Sequence, residues 1–302
     1  MRPYLIVSHD YNRGSAGVRA LHGLCSSLNV YGLQAWVTSP VVNPDWNTPT
    51  ADEETRRLVC EEGVVVYPEV EAGNPLGARR VARYILNRPG FIRGDATFDA
   101  GEALFCYCGL LREFVPSDDR VLTVPVVDAG VFYDRGLERY KEAFWVGKAR
   151  TASGDMPRVL NEDGMTQITP DWPESWEVLA ALFQTARVFY SYTDYTMLTV
   201  EARLCGCPTV VMPSGFYTRD GFAAGSPGGI AGLAWGPSLG EIERARATVG
   251  VFRRTYQVSV AGFEAQLDRF VEVTQGMEGY LVKGYLVIGD WGCNRIMNGT
   301  QL

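Results

Sequence analysis

Only two histidines occur in the sequence, His9 and His22, so imidazole-rich zinc centres are out of reach. Disulfide chemistry is equally under-supplied. The seven cysteines are odd in number, and four of them fall in two narrow pairs, Cys106-x-Cys108 and Cys205-x-Cys207, inside apolar runs. That spacing is tighter than zinc sites use and lacks the framework of a stapled secreted domain, so it reads as buried, reduced thiols with no metal. No apolar run approaches the ~20 residues that cross a bilayer, and Tyr4–Val7 is far too short for a signal-peptide core. The expectation is a chain with no integral membrane segment, in the cytoplasm. A complete G-x-G-x-x-G is absent too, which removes the warrant for dinucleotide binding at the Gly14–Gly17 loop. No repeat, coiled coil or low-complexity tract is evident.

A basic surplus is also lacking: 28 Lys plus Arg stand against 35 Asp plus Glu, for a net charge of −7. This disfavours indiscriminate attraction to nucleic acid or anionic membranes. What is present is a globular composition, 302 residues of which 46% are hydrophobic and 21% charged. Such a chain buries a sizeable core and has room for two domains of about 150 residues each.

Short apolar runs alternate with amphipathic helical patterns, which predicts α/β architecture with parallel sheets. Tyr4–Val7 opens as a strand, followed by a helix with Val18, Leu21, Leu24, Cys25 and Leu28 on one face and Gly32 at its end. Further strands are expected at Gln34–Thr38, Gly63–Tyr67, Leu104–Tyr107 and Val121–Val124, with helices at Asp52–Glu62 and Leu76–Leu86. The pattern restarts after Pro125–Asp134 with Ala143–Lys148. Strand Thr166–Ile168, helix Glu174–Gln184, strand Arg187–Tyr190, helix Leu198–Leu204 and strand Thr209–Met212 follow. A long helical stretch, Leu239–Thr274, carries an apolar stripe that Gly250 and Gly262 could interrupt. The predicted division is 1–128, 129–275 and a tail, 276–302, with an alternating segment suited to a hairpin.

Doubly wound sheets bind ligands beyond the carboxyl ends of their strands. After Tyr190, the loop Ser191–Leu198 enters a helix whose first turn, at Thr196, Met197 and Leu198, offers free amides to a diphosphate. Glu201 lies one turn further on, where a carboxylate can accept both hydroxyls of a ribose. His9 and Asp10 end the first strand and are candidates for an acceptor-side base or hydroxyl ligand. His22 reads as a structural histidine. Arg79, Arg80 and Arg83, read in the first turns of a helix, suggest an anionic partner.

Glu201-Ala202, Gly206-x-Pro208 and the strand Thr209–Met212 together resemble the donor site of nucleotide-sugar-dependent glycosyltransferases of the GT-B fold, two Rossmann-like domains facing across a cleft. Trp145-Val146-Gly147-Lys148 is similar to the first strand of that donor domain, which implies a phosphate contact for Lys148 beside Gly147. Ile168-Thr169-Pro170 resembles the nucleobase-side loop, and Val64–Gly90 the acceptor domain of a bacterial and phage-type subset of family 4-like, retaining enzymes. Thr193 stands where many retaining members carry a second glutamate, leaving Asp194 as the neighbouring carboxylate.

The resemblance implies transfer of a hexosyl or pentosyl group from a nucleoside-diphosphate sugar, such as a UDP-sugar, to an acceptor hydroxyl, with no added cofactor. Leaving-group stabilisation by Lys148 and Thr196–Leu198 would carry the catalysis. Arg13, Gly14, Gly17, Asn74, Arg79 and Arg83 join His9 as acceptor-side candidates. The favoured acceptor is a saccharide or lipid-linked glycan. A hydroxymethylated pyrimidine in DNA, in host cytoplasm if the chain is phage-encoded, is the alternative; a catalytically silent sugar-nucleotide binder is the second.

Overall fold

The computed structural model describes residues 1–147, 162–213 and 215–278. The first sheet contains β1 (Tyr4–Ile6), β2 (Ala35–Val37), β3 (Val64–Pro68), β4 (Val81–Ile85) and β5 (Ala103–Cys106), parallel and in the order β2-β1-β3-β4-β5. The second contains β6 (Lys141–Trp145), β7 (Thr166–Ile168), β8 (Ala186–Ser191), β9 (Thr209–Val211) and β10 (Leu233–Trp235), also parallel, in the order β10-β9-β8-β6-β7. Numbered within its own sheet, each reads 2-1-3-4-5. The order of strand addition reverses between the first and third strands of both sheets, which makes those two places the ligand-binding switch points of doubly wound folds. Two Rossmann-like units face one another, as the GT-B arrangement requires.

Local chemistry explains the elements. Tyr4, Leu5 and Ile6 are fully buried, as are Val64, Val65, Val66 and Tyr67, the pattern of strands covered on both faces. Helix α1 (Ala16–Val30) starts where Ser15 caps the Val18 amide, and the chain leaves it through Gly32 at φ +93°. Asp52 caps α2 (Glu53–Glu62) at 2.8 Å from the Thr55 nitrogen, with Glu53 and Glu54 favourable toward the helix dipole. In the second lobe, Ser175 caps α3 (Trp176–Thr185), and α4 (Leu198–Leu204), α5 (Arg219–Gly225) and α6 (Leu239–Val260) follow.

Several expectations fail for identifiable reasons. The predicted helix Leu76–Leu86 is a turn followed by β4, because every residue from Val81 to Ile85 is buried between layers. Its arginine is no surface cation: Arg83 is 1% exposed, pairs with Glu102 at 2.8 Å, and lies over the rings of Tyr67 and Phe98. Val121–Val124 makes only an isolated bridge, Val121 to Cys106, and the Thr123 amide turns instead to the side chain of Gln266. Helix α5 and strand β10 had no counterpart in the sequence reading. The tail beyond residue 278 lies outside the described residues.

The long terminal helix is two. It breaks at Ala261–Gly262, whereas the exposed Gly250 stays helical. Beyond the break, α7 (Phe263–Gln275) packs on the first sheet, with Phe270 4.9 Å from the Phe105 ring and Thr274 Oγ1 2.7 Å from the Tyr4 hydroxyl. The lobes also touch through glycine. A Cβ on Gly225 of α5 would sit 2.7 Å from the Leu110 nitrogen, and one on Gly109 would sit 2.9 Å from the Gly225 Cα.

Two glycine substitutions therefore have opposite signs. Gly225→Ala forces lobes apart and should destabilise by about 1–3 kcal/mol in urea denaturation. Gly250→Ala, in an open helical position, should stabilise by about 1 kcal/mol. Equal effects of the two would contradict this account of the contact.

Candidate functional site

Between the carboxyl ends of the two sheets lies a cavity of about 1110 Å³. Its walls are the loops that follow β1, β3 and β4 on one side and β6, β7, β8 and β9 on the other. Both switch points open into it, the loops after β1 and β3 supplying His9 and Glu69, those after β6 and β8 supplying Gly147 and Thr193.

On the C-terminal wall, Gly147, Ile168, Thr169, Thr193, Asp194, Thr196, Met197, Leu198 and Glu201 all line the cavity, as a group. Gly147 has φ +66°, and a Cβ there would press on the Trp145 indole at 2.7 Å, so glycine suits this turn doubly. Lys148 lies outside the described residues. Thr169 closes the β7–α3 turn, its amide donating to the Trp172 carbonyl at 2.9 Å and its Oγ1 accepting from the Trp172 amide at 3.1 Å. The Thr193 hydroxyl is buried with no hydrogen-bond partner among the described residues, beside Gly147.

The entry to α4 has no side-chain cap. Its first amide to reach a backbone acceptor is Thr199, bonded to Thr196 O at 3.2 Å, and Glu201 N then reaches Met197 O at 3.0 Å. The turn at Thr196–Leu198 lines the cavity, and no backbone acceptor among the described residues takes its amides. Behind it, the fully buried Arg203 anchors the helix. Its guanidinium stacks 3.9 Å from the Phe252 ring centre and donates to the carbonyls of Thr199, Gly229 and Ala231, and burial pushes it down to about 9.

Glu201 is 1% exposed because Arg19 of α1, on the other lobe, takes one carboxylate oxygen at 2.9 Å. Arg19 is itself 3% exposed, donates to Val126 O at 3.2 Å and lies over the Trp176 ring at 5.8 Å. A second interlobe contact joins the Arg13 guanidinium to the Pro173 carbonyl, and a third places Cys108 Sγ 3.3 Å from the Tyr195 hydroxyl. Burial holds both of those last groups well above their ordinary ranges, Cys108 to about 11.

On the N-terminal wall, His9 Nε2 accepts a hydrogen bond from Arg93 at 2.6 Å, and the same guanidinium nitrogen donates to Glu71 at 3.0 Å. Gly14 and Gly17 line the cavity beside it. Asp10 does not: its carboxylate accepts from Ser39 at 2.8 Å, so His9 and Asp10 form no dyad. Three acceptor-side candidates lie elsewhere, because their side chains build the first lobe. Asn74 closes a turn by accepting from Tyr67 and Ala78, the exposed Arg79 follows that turn away from the cavity, and Arg83 is the buried partner of Glu102. The residues that sequence reasoning missed are Arg19, Glu69 and Glu71, together with the aromatic lip of Phe91 and Phe216. Each takes its meaning from a partner far along the chain. A charged residue directly after buried Val18 in an amphipathic helix was the one available hint, for Arg19.

His22 supports His9 from below. It is fully buried, its Nε2 bonds the His9 carbonyl at 3.1 Å, and its Nδ1 has no partner among the described residues. Burial pushes this imidazole below its ordinary 6.5. The unfolded chain therefore binds a proton that the folded chain refuses, so stability present above pH 6.5 should fall as the pH drops toward the folded value. His22→Gln should flatten that slope in denaturation series, and an unchanged slope would disprove the assignment.

For the interlobe pair, Arg19→Met strands a buried carboxylate and should cost about 3–5 kcal/mol in chemical denaturation. The double variant Arg19→Met, Glu201→Met should recover most of that loss. Recovery near zero would mean that the two side chains act independently.

No protein-family model and no curated protein matches the chain. Among solved structures, it is similar to a spinosyn rhamnosyltransferase, at 14% identity and TM-score 0.39 over 92% of this chain and 97% of that one. It is also similar to a glycosyltransferase from Rickettsia africae, at 9% identity and TM-score 0.48 over 91% and 98% of the respective chains. A third is an α-glucosyltransferase in complex with UDP and a 13-mer DNA containing an HMU base, at 10% identity and TM-score 0.41 over 92% and 96%.

Proposed function

We propose that the cleft transfers a sugar from a nucleoside-diphosphate donor to an acceptor hydroxyl. The observation that carries this reading is the convergence of two switch points on one cavity, with Thr196–Leu198 and Glu201 on one wall and His9 on the other. The donor takes the C-terminal wall. Its diphosphate meets the amides of Thr196–Leu198, and its ribose diol donates to the Glu201 carboxylate. Lys148, next to Gly147, adds a cation to the phosphates.

In the reaction, the acceptor oxygen bonds to the anomeric carbon as the bond from that carbon to the diphosphate breaks. The nucleoside diphosphate leaves with the electron pair, and the hydroxyl proton departs with it. Positioning and stabilisation of the departing charge supply the acceleration. His9, whose Nε2 is occupied by Arg93, offers Nδ1–H to the acceptor oxygen and so orients the nucleophile instead of deprotonating it.

Calorimetry with UDP, GDP and ADP should find one tight diphosphate, and the matching sugar nucleotide should release it on turnover. Glu201→Gln should weaken that diphosphate by roughly ten- to hundredfold, since a hydrogen bond to a charged group contributes about 1.5–3 kcal/mol. Because the substitution also disturbs Arg19, the 2′,3′-dideoxy diphosphate serves as control. It should bind wild type as weakly as Glu201→Gln binds the parent ligand, and should lose nothing further in the variant. A full further loss would show that Glu201 acts on folding alone.

A further inference from the structure

The acceptor half of the cleft presents a run of apolar side chains between polar groups, several of which are already engaged. Arg93 is shared between His9 and Glu71, and Arg88 pairs with Glu113 at 2.9 Å. The side-chain oxygens of Asn12 and Asn87 accept from backbone amides, at 2.8 Å each, and Glu69 accepts from Leu86 N at 2.9 Å. Between these groups the wall is Val70, Leu86, Phe91 and Ile92.

At the mouth, aromatic edges meet across the lobes. The Phe91 ring stands edge-on to Phe216 at 5.4 Å, and Arg88 lies over both Phe114, at 5.1 Å, and Phe216, at 5.4 Å. Yet Phe216 remains 49% exposed and Ile92 44% exposed. Large apolar side chains left open at the rim of a cavity mark a surface that something covers. A saccharide needs several unspent donors and acceptors for its hydroxyls, because each one buried without a partner is costly. Along Val70, Leu86, Phe91 and Ile92 the wall offers no side-chain donor or acceptor.

Resting on the transferase reading and narrowing its acceptor, we propose that the acceptor is a planar aromatic ring bearing a hydroxyl or hydroxymethyl group, in place of the saccharide that the resemblance implied. Its ring lies along Ile92, Phe91 and the exposed face of Phe216, gaining dispersion and ring-edge contacts. Its hydroxyl points down toward His9. The new bond joins the acceptor oxygen to the anomeric carbon while the diphosphate leaves, as written above, and nothing else is oxidised or reduced.

Saturation-transfer NMR on the whole protein tests this, with 4-hydroxybenzyl alcohol and maltotriose offered separately, with and without UDP. Ring protons of the alcohol should receive saturation, and the signal should drop at least threefold in Phe216→Ser and in Ile92→Ser while the calorimetric affinity for UDP holds. Saturation of maltotriose in preference to the ring, of neither, or of the ring but insensitive to both substitutions, overturns the proposal. A failed UDP titration with a ring signal intact would instead count against the donor reading. A duplex containing 5-hydroxymethyluracil, added as competitor, separates the sources of the ring. Displacement that weakens steeply with salt identifies a ring presented by nucleic acid, and no displacement identifies a free small molecule; either supports the aromatic class.

Discussion

One buried ion pair, Arg19 with Glu201, sets the geometry on which the cleft depends. Removing two charges from water costs about as much as their attraction returns, so the pair adds little net stability. Its effect is on arrangement. Only a narrow range of lobe orientations keeps a guanidinium within 2.9 Å of a carboxylate on the opposite lobe, and that range also seats Gly225 on Gly109 and Arg13 against the Pro173 carbonyl.

Support for the cleft residues comes from the same strategy applied outward. Arg83, buried between Tyr67 and Phe98, donates to the carbonyls of Glu71 and Gly73 and so fixes the loop from which Glu71 reaches Arg93. Arg93 in turn fixes His9, whose backbone is held by His22. Arg203 does the equivalent behind α4. Arginines with planar, multi-directional donors tie loops to elements in both lobes, a task for which a point charge is poorly shaped.

How much of this was legible in the sequence depends on the range of the interactions. Period is local, so α1, α2 and the β8-to-α4 unit leading to Glu201 could be read directly, while the caps Ser15 and Asp52 emerge only in the structure. β4 could not. Its Arg83 looks like a surface charge until Glu102 is placed beside it, and the run Arg79, Arg80, Arg83 then mimics one face of a helix. Asn74 and Asp10 failed likewise, as polar residues whose partners Tyr67 and Ser39 are fixed by tertiary structure. Glu201 was identified from its neighbours, while the reason it is almost unexposed, Arg19, sits at the opposite end of the chain.

The return of α7 to the first sheet has a consequence for how the protein is made. Tyr4 and Phe105 complete their packing only against Phe270 and Thr274. A ribosome releases the first lobe's strands long before it releases that helix, so the first lobe must wait, unsealed, while the second is synthesised. Non-local closure of this kind slows folding and prolongs exposure of apolar surface. The two lobes are separate in architecture but a single unit in biogenesis, and α7 acts as the clasp between them.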